Sequence, residues 1–75
     1  MEHDLNHILV FATNIKTEPD EQKIAAVLNE NTAIHQWSID REDIDCVLRI
    51  VSDTLCAAQL IKIINHHNFE CTELK

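Results

Sequence analysis

The sequence predicts an α+β domain in the order βαββαβ, a four-stranded antiparallel sheet with two helices on one face. Three observations predict it. Two apolar runs of strand length, His7–Thr13 and residues 46–51, each precede a segment whose apolar residues recur at helical spacing. An alternating segment follows the first helical stripe, and a further short strand closes the chain. No linker, repeat or low-complexity stretch interrupts the 75 residues, so one domain is expected over residues 1–75.

The first strand is expected at His7–Thr13, whose unbroken apolar character suits a central strand. The turn Asn14-Ile15-Lys16-Thr17-Glu18-Pro19-Asp20 holds no glycine, cysteine or histidine. Its Thr-x-x-Asp resembles a capping box, with Thr17 as N-cap and Asp20 at N3. Pro19 suits a first turn, and Glu18, Asp20 and Glu21 suit the positive end of a helix. A helix over residues 18–29 then buries Ile24, Val27 and Leu28 as one stripe. The chain has no glycine, so asparagine is expected at any left-handed capping position. Ile34–Asp40 alternates, with Trp37 and Ile39 inward, and its phase slips once, which predicts a bulge near His35. Residues 41–45 read as a charged hairpin loop and 46–51 as the third strand. Asp53 is the expected N-cap of the second helix, in which Ala57, Leu60, Ile61 and Ile64 repeat at helical spacing. Residues 65–68 break that helix, and 69–74 form the last strand. Right-handed crossovers place the first and third strands side by side in the centre. The whole is the ferredoxin-like split βαβ arrangement.

Hydrophobic residues make up 45% and charged residues 25% of the chain, enough for a core. A chain this short buries only about 60% of its unfolded surface, so modest stability is expected. Thirteen acids against six bases give a net charge of −7. That charge repels phosphate backbones and anionic lipid, so neither nucleic acid nor membrane is expected as a partner. No apolar run approaches the ~20 residues of a membrane span. Glu2, His3 and Asp4 follow Met1 without a basic region, so no signal peptide is expected, and the expected compartment is the cytoplasm. Cys46, Cys56 and Cys71 are odd in number and widely spaced, which predicts free reduced thiols, two in the core and one on a helix.

One surface stands out. Parity counted from Ile15 is taken to turn Ile8, Val10 and Ala12 towards the helices and Leu9 and Phe11 away. On the third strand Cys46, Leu48 and Ile50 are expected inward, and Val47, Arg49 and Val51 outward. Leu9, Phe11, Val47 and Val51, with Arg49 among them, then form an apolar strip on a face that a single helical layer leaves open. Contiguous apolar surface on a small domain marks a contact site.

Over residues 7–74 the pattern resembles a heavy-metal-associated domain of the copper-chaperone type. That family carries Gly-Met-x-Cys-x-x-Cys on the turn after its first strand. The matching positions run from Asn14 to Asp20, with Ile15 in the methionine slot and Thr17 and Asp20 where the two cysteines stand. Asp53 matches an aspartate frequent in the family, and Asn68-Phe69 resembles the Gly-Tyr that opens its last strand. The resemblance implies the family's fold without its thiolate site.

Other chemistries find few residues. Glu18, Asp20, His66 and His67 are the candidates for an oxygen- and nitrogen-rich site for Zn²⁺ or Ni²⁺ near the turn, although adjacent helical histidines point about 100° apart. His3 and His7 lie too near the chain end to count as ligands. The loop acids Asp40, Glu42, Asp43 and Asp45 lack the spacing and glycine of a Ca²⁺ loop. There is no Gly-x-Ser-x-Gly, phosphate loop or paired Cys/His, and Glu70 and Glu73 are grouped with no pocket. The anion loop of acylphosphatases, the paired aromatics of RNA recognition motifs and the glycine-bearing ligand loop of ACT domains are likewise missing. The expected function is therefore non-enzymatic and cofactor-free: a protein-interaction or homodimerisation module. The alternative is a metal-handling protein using the four candidates near the turn.

Soft thiolates select Cu(I), and a hydroxyl and a carboxylate stand at the thiolate positions. Reduced protein is expected to surrender Cu(I) to a competing chelator. Stoichiometric retention in that competition would contradict this expectation.

Overall fold

Six elements form in the expected order: β1 (His7–Thr13), α1 (Glu18–Glu30), β2 (Ile34–Asp40), β3 (Val47–Ser52), α2 (Ala57–His66) and β4 (Cys71–Glu73). The computed structural model describes residues 7–74. All strand pairs are antiparallel and the sheet order is β2-β3-β1-β4. The two most apolar strands thus occupy the centre, and the topology is ferredoxin-like, as predicted.

One cluster forms the core. Phe11 and Ile15, Leu48 and Ile50 of β3, Ile24 and Leu28 of α1, and Leu60 and Ile64 of α2 are all buried and in mutual contact. Both helices therefore cover the same sheet face. Trp37 and Ile39 of β2 pack against this cluster, as does Leu9. The Trp37 indole N–H donates to Asn29 Oδ1 at 2.8 Å, which ties β2 to the end of α1.

The facing of β1 is opposite to the sequence expectation. Leu9 stands opposite Ile50, and Phe11 opposite Leu48. Directly opposed residues share a face, so Leu9 and Phe11 point to the helices, and Phe11 is 0% exposed. Ile8, Val10 and Ala12 point away. The physical reason is continuity through the turn: the odd-numbered series Leu9, Phe11, Thr13 and Ile15 keeps one side. The Thr13 hydroxyl fixes this by accepting the Ile15 N–H at 3.2 Å and donating to the Cys46 carbonyl at 2.7 Å.

Local signals decide the joints. Thr17 has an extended backbone (φ −117°, ψ 162°), and its hydroxyl accepts the Asp20 N–H at 3.3 Å, so it is the N-cap of α1. The pairing of β2 with β3 steps from Ile34–Ser52 to Gln36–Val51, which is the bulge at His35. That step sets Trp37 opposite Ile50, on the core side. Asparagine takes a left-handed conformation after α2, at Asn68 (φ 71°), but the C-cap of α1, Asn31, is extended. Cys46 is the second left-handed residue (φ 45°).

Asp53 does not cap α2. The cap is Cys56, whose N–H donates to Gln59 Oε1 at 2.9 Å, and Asp53 pairs with His35 instead. Buried Ser52 explains the shift. Its hydroxyl donates to the Ala33 carbonyl at 2.7 Å and accepts the N–H groups of Thr54 and Leu55. This serine-centred turn spends three residues before the helix starts. The last strand is shorter than the expected 69–74: Phe69 goes into the core, and the Glu70 N–H donates to Asn14 Oδ1 at 2.8 Å.

Phe11→Ala should cost about 3–5 kcal/mol, since it removes a wholly buried aromatic at the centre of the cluster. A domain of this size has only about 4–11 kcal/mol in total, so urea denaturation should show a large fall in midpoint. An unchanged midpoint would return Phe11 to the open face.

Candidate functional site

The uncovered sheet face is built by the even-numbered residues of β1 and their cross-strand neighbours. Ile8 lies opposite Val51, and Val10 opposite Arg49. Arg49 in turn lies opposite Ser38, Val51 opposite Gln36, and Val47 opposite Asp40. Thr72 of β4 lies opposite Ala12, and the Leu74 N–H donates to the Val10 carbonyl at 2.8 Å. The face thus reads Gln36, Ser38 and Asp40 along one edge, an apolar centre of Ile8, Val10, Ala12 and Val51 around Arg49, and Thr72 along the other edge.

Of the five residues first assigned to this surface, Arg49 and Val51 stand on it with their side chains accessible. Val47 shares their side by register, as expected, but is only 6% exposed and adds little accessible area. Leu9 and Phe11 belong to the core. Their places are taken by Val10 and by Ile8, which is 67% exposed. An uninterrupted parity count from Ile15 down β1 would have found both.

Several carboxylates gather at one end of the strands. The end marked by Thr13 and Asp40 carries the turn before α1 and the loop between β2 and β3. The Thr13 N–H donates to the Asp45 carbonyl at 2.9 Å, which holds that loop against β1. Arg41 reaches Glu21 of α1 at 2.7 Å. Asp40 and Asp43 accept the N–H groups of Glu42 and Asp45, so their carboxylates shape an exposed hairpin loop. Glu18, Asp20, Glu42, Asp43 and Asp45 therefore share one end of the molecule. The opposite end of the open face is apolar, with Ile8 and Val51.

The four metal candidates sit at that acidic end but are not assembled. Glu18 and Asp20 lie in the first turn of α1. His66 ends α2 and His67 caps it, their rings edge to face with centroids 5.2 Å apart. Among the described residues no three His, Cys, Asp or Glu side chains group so as to hold a metal ion. His3 lies outside the described residues. An open cleft of about 470 Å³ adjoins Ile8 and runs past Leu9 and Leu55 to the start of α2, with Asp53 and Glu73 on its walls. Among the described residues no helix is long and apolar enough to cross a membrane.

No family model matches this chain, and searches of curated proteins and of solved structures also return no match.

The three cysteines are free, with Cys46 and Cys71 buried and Cys56 exposed. Burial pushes the Cys71 thiol from its ordinary 9.0 up to about 11. A thiol that ionises later in the folded chain than in the unfolded chain leaves stability whole below pH 9. Stability is then lost as pH rises from 9 to 11. The loss should reach roughly 2–3 kcal/mol. Subtracting the profile of Cys71→Val, which has no thiol to ionise, should isolate that loss in denaturation curves. Parallel profiles across the window would refute the assignment.

Proposed function

We propose that this chain is a non-enzymatic protein-contact domain that works through its open sheet face, binding a protein partner or a second copy. In this reading it is similar in pattern to heavy-metal-associated domains, with the metal turn turned over to helix capping by Thr17. The observation that carries the proposal is the pairing of Ile8 with Val51 beside Val10 at the centre of the uncovered face. A sheet covered on one side presents polar residues on the other. Here both central strands present aliphatic side chains, and Ile8 is largely accessible. Removing them from water favours contact by roughly 25 cal/mol per Å². The net charge of −7 argues against a nucleic-acid partner. A reducing compartment such as the cytoplasm suits the three free thiols.

Ile8→Glu tests this reading. Ile8 is outside the core, so the substitution should change stability by no more than about 0.5 kcal/mol. It should abolish any contact the wild type makes, whether seen as mass in light scattering or as a partner captured and identified in pull-down. A wild-type contact that survives Ile8→Glu would defeat the proposal.

A further inference from the structure

We infer that the partner of the open face presents a carboxylate to Arg49: an aspartate or glutamate set among aliphatic residues of a different protein. This rests on the contact reading above and goes beyond it in naming the chemistry of the partner and the residue that selects it.

Arg49 is the one base on the open face among the described residues. It lies on an inner strand, between Val10 of β1 and Ser38 of β2, and it is exposed. The acids of the chain do not engage it. The ion pairs among the described residues are Arg41 with Glu21 and His35 with Asp53. Glu73 lies opposite Phe11 and so faces the helices. Asp40 stands on the open face, but at its corner, opposite Val47, where it accepts the Glu42 N–H. A chain with thirteen acids and six bases thus holds an unpaired guanidinium in the middle of an aliphatic patch.

Covering the patch turns that guanidinium into the deciding group. A partner that seals Ile8, Val10 and Val51 from water also strips water from Arg49, and a buried charge without a counter-charge is costly. Its cross-strand neighbours, Val10 and Ser38, carry no charge to offset this. The guanidinium has five N–H donors in a planar fork, and the two oxygens of a carboxylate match that fork. A wholly apolar partner would leave the fork unsatisfied, and a basic one would repel it. A phosphate would match the fork but brings close to two negative charges towards a chain of net charge −7. A single carboxylate in an aliphatic stretch suits both parts of the face: the stretch covers the aliphatic side chains and the Arg49 stem, and the carboxylate takes the fork.

A displayed library of random peptides, selected separately on the wild type and on Arg49→Glu, tests this. Sequences won on the wild type should carry Asp or Glu flanked by aliphatic residues, and those won on Arg49→Glu should carry Lys or Arg in that place. A synthetic peptide from the wild-type set should lose about tenfold or more in affinity when its acid becomes the amide, as for a hydrogen bond to a charged group. Arg49→Gln should cause the same loss. The two changes together should cost little more than either, because they remove one interaction. Arg49 is exposed, so its variants should keep the wild-type urea midpoint. Peptides lost in Ile8→Glu but indifferent to the amide and to Arg49→Gln overturn the carboxylate and spare the contact reading. Self-association of the wild type that Ile8→Glu abolishes and Arg49→Gln leaves intact overturns a different protein as the partner, and also spares that reading. A selection that returns no peptide dependent on Ile8 overturns the inference. A wild-type contact that survives Ile8→Glu overturns the contact reading with it.

Discussion

The register of β1 against β3 is the constraint on which the rest of this fold depends. Leu9 over Ile50 and Phe11 over Leu48 give the helices a continuous apolar floor. Side chains alternate with a period of two, so a slip of one residue would put Phe11 in water and Ile8 in the core. The same pairing determines both faces at once: whatever fills the core leaves its neighbours outside. The aliphatic centre of the open face is thus the reverse side of the core's own pattern, since the register that fills one face fixes which residues stand on the other.

A glycine-free chain must make its turns by other means. Side chains with short polar arms take over. Asn14 receives the Glu70 N–H, Asn31 receives that of Ala33, and Ser52 organises the joint into α2. Asn68 accepts a left-handed backbone, which its residue type tolerates. Cys46 does so with less intrinsic ease. It is held there by the Thr13 hydroxyl on its carbonyl and by its own N–H donating to the Asp43 carbonyl at 2.9 Å. The acidic loop is consequently fastened to the end of β1.

Much of this was legible in the residues. The spans of β1 and β2, the bulge at His35, the Thr17 cap and the central pair of strands all follow from local pattern, where one residue type has one strong preference. The misses share a cause: they depend on contacts between distant segments. Asp53 has the right residue type for a cap, but Ser52 is engaged by Ala33 and moves the helix start. The left-handed Cys46 answers to Thr13, thirty-three residues away along the chain. The candidate surface was found in outline, because an apolar strand in a one-layered sheet must expose something. Its members from β1 were exchanged, because a phase error at a turn flips every side chain of the strand.

The bulge at His35 has a bearing on solubility. β2 is an edge strand of seven residues, and an edge of that length is a template on which further strands can add without limit. The irregular step between Ile34 and Gln36 interrupts its ladder, and Asp40 places a charge at its far end. The other edge, β4, is only three residues long. Both margins of the sheet are thus poor templates for the addition of further strands.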